Sequence, residues 1–440
     1  MKQYRIAVVG SGIAGLTAAW LLSKKHHVTI LEKGSSLGMA QFGVNAQTAA
    51  GESVVDVPLR VFNKSYYPNL FRMCQELDVD LRFVDHGGSF GYINGDLYFK
   101  YKNLSIGSRN YSYVLPKLSQ LPWLFSVGRE ILKLKKDMAS FLKEGNCDEV
   151  TLKDFFDRYK YSRSLQYEFF LPILSSVCTC SYSALLEYPA GIVVEGMYTL
   201  METTPTQRFV GGTRALQAGL ADAVQEVRYN SHVRTVSPVG DAVSIQFEDG
   251  EQREFDHVIL ATQANQAFNM LDESYSQERQ LLSEIPYQSS DMIVHRDHRL
   301  MPRQSGKWAP VYYGINEEDW PMATIWINEV EPGFEGGELL FQTWNPLIEP
   351  DPKKLLGKTT FERPVVTQKS LKAVHQLTDI QKQSPDQRKI WLCGSYATRA
   401  IPLLESGLVS AVSISEQFGV EAPEWFVKGS AVLDQLRKPT

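Results

Sequence analysis

One stretch of the chain, "YRIAVVGSGIAGLTAAWLLSKKHHVTILEK" from Tyr4 to Lys33, restricts the possible folds more than any other. "YRIAVVG" is a continuous apolar and β-branched run, as a parallel strand buried on both faces requires. Gly10, Gly12 and Gly15 then take the three glycine places of G-x-G-x-x-G. The first glycine permits the tight turn, the second lets a pyrophosphate reach the backbone, and the third lets helix pack closely on strand. "IAGLTAAWLLSKK" continues with helical apolar spacing. The N–H groups around Ser11, Ile13 and Ala14 therefore open a helix whose positive end suits phosphate. "HVTILEK" reads as a second strand ending at Glu32, with Lys33 beside it. That acid falls about 20 residues beyond the glycines, where ribose hydroxyls need an acceptor. Alone, the glycine pattern is common; with strand, helix, strand and acid in one βαβ unit it predicts a dinucleotide site.

Length and charge narrow the class. A chain of 440 residues exceeds one ordinary core and predicts two domains. A net charge of −5 argues against a phosphate-backbone binder, so no nucleic-acid partner is expected. Cys74, Cys147, Cys178, Cys180 and Cys393 are few and scattered, which predicts a reducing compartment without a disulfide framework. Cys178-Thr179-Cys180 is too close for a CxxC motif and reads as structural. The chain enters its first strand directly, without a leader pattern, and no run of 18 apolar residues predicts a membrane span. A soluble, cytoplasmic protein is the expectation. "LPWLFSVGREILKLKK", Leu121 to Lys136, has two readings: a core-facing amphipathic helix with a solvated lysine face, or a segment making transient membrane-surface contact.

Three further segments resemble the flavin amine oxidase and phytoene desaturase superfamily. "EKGSSLGMA" is similar to that superfamily's E-K-x-x-x-x-G-G-[RH] extension, with Met39 in place of the second glycine and Ala40 in place of the basic residue. "RFVGGTRALQAGLADAV" and "VRYNSHVRTVSPVGDAVSIQFEDGEQREFDHVILAT" are similar to its middle FAD segment, where the resemblance puts the Val233 backbone on the adenine. "IWLCGSYATRAIPLLESGLVSAVSISEQFG" resembles its C-terminal strand–turn–helix segment, with Gly394, Ser395, Glu405, Gly407 and Leu408 near the flavin. Ser395 stands where many members carry an acid. These segments span both ends and the middle of the chain, and they imply FAD rather than NAD. The implied class is α/β: a discontinuous Rossmann-type FAD-binding domain with an α+β substrate domain. Residues 1–75, 206–285 and 386–440 would form the FAD-binding domain; residues 76–205 and 286–385 would form the substrate/cap domain.

"VVDVPLRVFNKSYYPNLFRMCQELDV" also resembles a branch described as predicted NAD/FAD-binding oxidoreductases, as do "MIVHRDHRLMPRQSGKWAPVYYG" and "FERPVVT", where Arg363 replaces a His. That branch implies lipid or acyl substrates. By position, Asp56 to Arg60 would end a strand that passes the flavin, with Leu59 and Arg60 at the cofactor. Arg60 has three readings: contact with flavin oxygens, contact with a substrate acid, or a surface salt bridge. Tyr66, Tyr67 and Pro68 read as a packed turn before the helix "NLFRMCQEL". Trp326 and Trp344, on the alternating stretches "MATIWINEV" and "LLFQTWNPL", would wall an apolar substrate pocket or serve as plain core.

Flavin would accept hydride at N5 while the protein positions a C–H bond and excludes water. No triad, HExxH or metal cluster is evident in the sequence, so no metal is expected and no catalytic residue is assigned. His295 and Asp297 alternate on one strand face, as an acid/base pair or a structural pair. Amine oxidases place a lysine near flavin N5 on the strand corresponding to "SSDMIVHRD"; here Met292 or a neighbour stands there. The sequence thus favours dehydrogenation or desaturation of a lipophilic small molecule. The competing readings are an FAD amine oxidase, a flavin-binding protein without turnover, and an NAD-dependent dehydrogenase.

Overall fold

The computed structural model describes residues 2–40, 42–48, 51–93, 97–106, 109–201, 205–429, 433 and 436. Two sheets organise them. The first is parallel and five-stranded, in the spatial order Glu226–Arg228, His27–Leu31, Arg5–Val9, His257–Leu260, Ile390–Leu392. Its central strand is buried from Ile6 to Val9, and Val8 lies between Ile30 and Ile259 on the flanking strands. That explains the unbroken apolar run of the sequence, since neither face of such a strand meets water. The helix Ile13–Leu22 is buried at every residue, between this sheet and the helices Arg214–Ala221 and Leu404–Gln417. An antiparallel meander, Val233–Val239, Ala242–Phe247 and Gln252–Phe255, leads into the sheet strand His257–Leu260. Its expected Asp249-Gly250 turn is present, with Gly250 at a φ of +90°.

The second sheet is mixed and seven-stranded. Its order is Leu355–Pro364, Tyr287–His295, Phe341–Trp344, Met322–Trp326, Val311–Ile315, Gly88–Tyr92, Leu97–Lys100. Only the pair Val311–Ile315 and Gly88–Tyr92 runs parallel. One face carries Phe90, Met292, Tyr313 and Trp344 and packs on Val55, where the strand Gly51–Val55 ends, and on Val57 and Leu59 of the irregular segment that stands at 56–60 in place of the expected strand end. The other face carries Ile293, Tyr312, Met322 and Phe341. "MATIWINEV" forms a strand only to Trp326 and then one helical turn, Ile327–Val330. Asn328 explains the break. Its amide donates to the carbonyls of Phe334 and Glu338 and accepts from the Leu340 N–H, bonds that tie up a turn and not a ladder.

A helical cap covers the second sheet. Its first member, Leu121–Leu142, buries Val127, Leu134, Met138 and Phe141 against the helix Ala190–Leu200 and its neighbours. The stretch around Tyr167 is a π-turn, Gln166–Phe170, joining Arg163–Leu165 to Leu171–Cys178. Glu168 of that turn accepts from the Trp123 indole and the Tyr92 hydroxyl, both at 2.6 Å, and so ties the cap to the sheet. All five cysteines are buried, and none forms a disulfide among the described residues.

Candidate functional site

The first turn of the parallel sheet is built from its glycines. Gly10 has a φ of +98°, and a Cβ there would lie 2.9 Å from the Ala261 carbonyl oxygen. A Cβ on Gly15 would stand 2.0 Å from the Gly10 carbonyl oxygen. Only glycine fits either place. Gly12 differs, because its missing Cβ would point into open space with nothing within 4 Å. Gly12 is also the N-cap of the helix Ile13–Leu22, which has no side-chain cap and no acid in its first turn. Unused N–H groups, a positive dipole end and open ground therefore coincide, the donor set a diphosphate needs.

Glu32 ends the second strand and is 4% exposed. Its Oε2 accepts from the Ser11 N–H at 3.0 Å and from the Ser11 hydroxyl, and its Oε1 accepts from the Gly34 N–H at 2.7 Å. A carboxylate has about four acceptor positions, so Oε1 keeps one for a ribose hydroxyl. The Ser11 hydroxyl in turn accepts from the Gly38 N–H at 2.8 Å, drawing the turn Gly38–Ala40 to the cradle. Met39 is buried in the core beside Ile13, and its N–H donates to Gln217. Gln217 is a positioning residue that carried no sequence signal. Lys33 is exposed. The Ser231 N–H donates to the Glu32 carbonyl two residues before Val233, so the meander starts beside the acid.

The C-terminal segment closes on the same helix end. A Cβ on Gly407 would lie 3.0 Å from Ile13 Cγ2, so this glycine lets Leu404–Gln417 cross close to the cradle, with Leu408 fully buried. The Gly394 N–H donates to the Ser410 hydroxyl at 3.0 Å, next to the half-buried Ser395. Glu405 is turned elsewhere. Its carboxylate accepts from the N–H groups of Asn69 and Leu70, both at 3.0 Å.

A second cluster joins the two sheets. Asp56 accepts from the Thr213 N–H at 2.7 Å, and Gly212, at a φ of +77°, leaves room for that carboxylate. Arg60 lies 3.8 Å from Asp56, and burial pulls its guanidinium down to about 10. Arg208, 1% exposed, donates to the Arg60 carbonyl and pairs with Glu331. Burial lowers Arg208 to about 9. Arg363 faces Arg60 and Tyr67 and is likewise lowered by burial. Three guanidinium groups thus meet two carboxylates, Asp56 and Glu331. Leu59, one residue before Arg60, packs with Met292 and Trp344, and its N–H donates to Gln342 at 2.8 Å. Tyr66 and Tyr67 form the expected packed turn, with rings 4.9 Å apart.

The two tryptophans do not share a pocket. Trp326 pairs with Phe341 and Ala323 with Trp344, so the register puts Trp326 and Trp344 on opposite faces of the sheet. Trp344 faces Leu59; Trp326 packs edge-on against Trp308. His295 and Asp297 are a buried structural pair behind the sheet. The His295 Nδ1 accepts from the Asp297 N–H, which leaves Nε2–H to donate to Thr343 at 2.7 Å. Thr343 then donates to Thr324, and Thr324 to the Leu300 carbonyl. Asp297 is held by Arg299 and the Asp351 N–H. Every proton in the chain is committed.

A family model described as flavin containing amine oxidoreductase matches residues 13–318, well over half of the chain. The chain belongs to that family. As a flavin amine oxidoreductase it is an FAD-dependent oxidoreductase enzyme, and the donors at Gly12 and the acceptor at Glu32 are of the kind a diphosphate and a ribose need. The α/β class with a Rossmann-type FAD layer and a substrate layer is the family's fold. Among solved structures, a putative protoporphyrinogen oxidase from Exiguobacterium sp. 255-15 is similar at 14% identity and a TM-score of 0.62, covering 95% of this chain and 99% of that one. A putrescine oxidase solved with putrescine has 13% identity, a TM-score of 0.63 and coverages of 95% and 99%. A CLA-producing fatty acid isomerase from P. acnes has 15% identity, a TM-score of 0.65 and coverages of 93% and 97%. No curated protein matches the sequence. Among the described residues no helix is long and apolar enough to cross a membrane, and no group of His, Cys, Asp or Glu is arranged to hold a metal.

Proposed function

We propose that this flavin amine oxidoreductase dehydrogenates or desaturates a lipophilic small molecule carrying an acidic head group. The observation that carries the reading is the meeting of Arg60 and Arg363, in cationic excess beside Asp56, with the apolar wall of Leu59, Met292 and Trp344. A half-buried surplus of guanidinium favours an incoming carboxylate, and apolar side chains next to it favour an alkyl chain. The strand Tyr287–His295 has no lysine, which weighs against the amine-oxidase reading. The fatty acid isomerase among the solved relatives supports a substrate of this kind.

In this reading residues 1–75, 206–285 and 386–440 hold FAD, and residues 76–205 and 286–385 enclose the substrate. Gly10 to Gly15, Glu32, Met39 and Ala40 of the first turns, with Val233, Gly394, Ser395, Gly407 and Leu408, surround the cofactor. FAD, when bound, would supply the acceptor for the hydride of the substrate C–H bond, which carries both electrons of that bond. Arg60 and Arg363 orient the acid, Leu59 and Trp344 exclude water from the chain, and Gln342 fixes the Leu59 backbone.

Anaerobic bleaching of the yellow holoenzyme tests this with acyl, isoprenoid and amine panels. A lipophilic acid should bleach the flavin, and amines should leave it oxidised. Aldehyde and hydrogen peroxide formed from an amine would reject the proposal in favour of an amine oxidase.

A further inference from the structure

The surface between residues 100 and 136 has a character unlike the rest of the molecule. Of fourteen large apolar or aromatic side chains exposed among the described residues, eight fall between 104 and 132, a concentration too high for scattered surface hydrophobics. Leu115, Leu118, Phe125 and Leu132 are 73–86% exposed. Phe125 and Leu132 are seven residues apart on the helix Leu121–Leu142 and share its outer face with Arg129 and Lys136.

The hairpin Lys102–Ile106 and Arg109–Tyr113 repeats the pattern. Its register pairs Tyr111 with Leu104 and Arg109 with Ile106, so these four lie on one face with Lys102 and Tyr113. The opposite face carries Asn103 and Ser112, and Asn103 donates to Asp85 of the body at 3.0 Å. The hairpin therefore turns its polar face inward and its apolar face outward, the reverse of what water alone favours.

The charge is also segregated. Residues 100–136 contain eight lysines and arginines and one acid, Glu130, a net +7 in a chain whose total is −5. Lys102, Arg109, Arg129 and Lys136 are exposed and make no ion pair among the described residues. Apolar side chains standing among unpaired cations match an anionic bilayer, where the former enter the acyl boundary and the latter meet phosphates. A second copy docking through the same patch would set +7 against +7, which disfavours a symmetric dimer there.

We propose that the paired strands Lys102–Ile106 and Arg109–Tyr113 and the outer face of the helix at 121–136 form a docking surface for anionic phospholipid bilayers. The proposal stands on this surface alone, so its failure leaves the redox reading untouched. Flavin-loaded full-length protein is sedimented with vesicles of phosphatidylcholine, with or without phosphatidylglycerol, at low and high sodium chloride. Wild type should bind the phosphatidylglycerol vesicles and dissociate as salt rises. A Phe125→Ser/Leu132→Ser pair should weaken binding about tenfold or more at low salt, because two side chains no longer leave water. Lys102→Glu/Arg109→Glu should weaken it about as much. All four side chains are exposed, so the melting temperature of each variant should stay near wild type. Hydrogen exchange of wild type should slow across 102–118 when vesicles are present. Wild type left in the supernatant, variants that bind like wild type, or a patch-dependent dimer or protein complex in place of vesicle binding would each overturn the proposal.

Discussion

The Glu405 carboxylate accepts the backbone N–H of Asn69 at 3.0 Å, across 336 residues of sequence. It accepts Leu70 N–H as well, and the helix Pro68–Glu76, whose N-cap Tyr67 offers no side-chain bond, is thereby capped from outside. A glutamate of the family-like C-terminal motif thus serves the fold by holding the Tyr66–Tyr67 turn in place.

Burial pushes the Glu405 carboxyl up to about 7, from an ordinary value of 4.5. The folded state therefore binds a proton more tightly than the unfolded chain between those two values. Stability linked to Glu405 falls as pH rises through that window and levels off above it. Glu405→Gln lacks the titration, so the melting-temperature advantage of wild type over this variant should shrink from pH 4.5 to pH 7. A gap that grows with pH would show that the carboxylate is stabilised as an anion, and a constant gap would show that folding leaves its titration where it is in the unfolded chain. Glu405→Ala should cost about 1 kcal/mol or more at any pH, the usual worth of a lost cap.

Gly12 and Gly15 separate binding from folding. Gly15→Ala drives a methyl to 2.0 Å from the Gly10 carbonyl oxygen, so the helix Ile13–Leu22 must shift. Overpacking of this kind costs about 1–3 kcal/mol, and chemical denaturation should show it with or without FAD. Gly12→Ala meets nothing within 4 Å and has an ordinary φ of −69°. Its apoprotein should unfold like wild type, yet titration with FAD should show affinity reduced about tenfold or more, as a methyl excludes the diphosphate from the backbone. Wild-type FAD affinity in Gly12→Ala would move the diphosphate away from this turn.

Arg60 tests the acid head group. Arg60→Gln should raise KM for an acidic substrate about tenfold or more, the size of a lost charged hydrogen bond, with a smaller change in kcat. Arg60→Lys should recover only part, because an ammonium lacks the bidentate fork. Neutral analogues should be indifferent to both variants. Steady-state kinetics on matched acid and alcohol substrates would expose equal losses, which would assign Arg60 to the fold.

His295 should matter to stability and not to turnover. Burial lowers its imidazole to about 4, so the unfolded state binds more protons between pH 4 and the ordinary 6.5. Stability linked to His295 is present above 6.5 and is lost as pH falls toward 4. His295→Leu should flatten that acid limb in denaturation curves. It should also cost about 1–3 kcal/mol at neutral pH, because the Asp297 N–H loses the Nδ1 that accepts it. A large fall in kcat with unchanged stability would reinstate an acid/base role.

Local backbone rules were readable in the sequence. Gly10, Gly15 and the apolar run before them specify a turn and a buried strand through sterics within a few residues, and the structure has both. Glu32 follows from the length of one βαβ unit. The strand 242–247 and its turn at Gly250 follow from alternation and turn chemistry. In each case the interacting groups are neighbours in the chain, so residue type and spacing carry the information.

Register and long-range pairing were decided elsewhere. Nothing in "MATIWINEV" or "LLFQTWNPL" says that Trp326 opposes Phe341; a shift of one residue would have exchanged the faces of the tryptophans. The partner of Glu405 is set by how the last helix crosses the first, and the company of Arg60 by two strands more than 140 residues beyond it. The outward apolar face at Leu104 and Ile106 follows from the bond between Asn103 and Asp85, which aims the hairpin. Sequence by itself determined the first buried strand, its glycine turn and the turn at Gly250, because short-range sterics suffice for them. Only the tertiary structure decided which side chains share a face, because that depends on packing and hydrogen bonds between segments the chain keeps far apart.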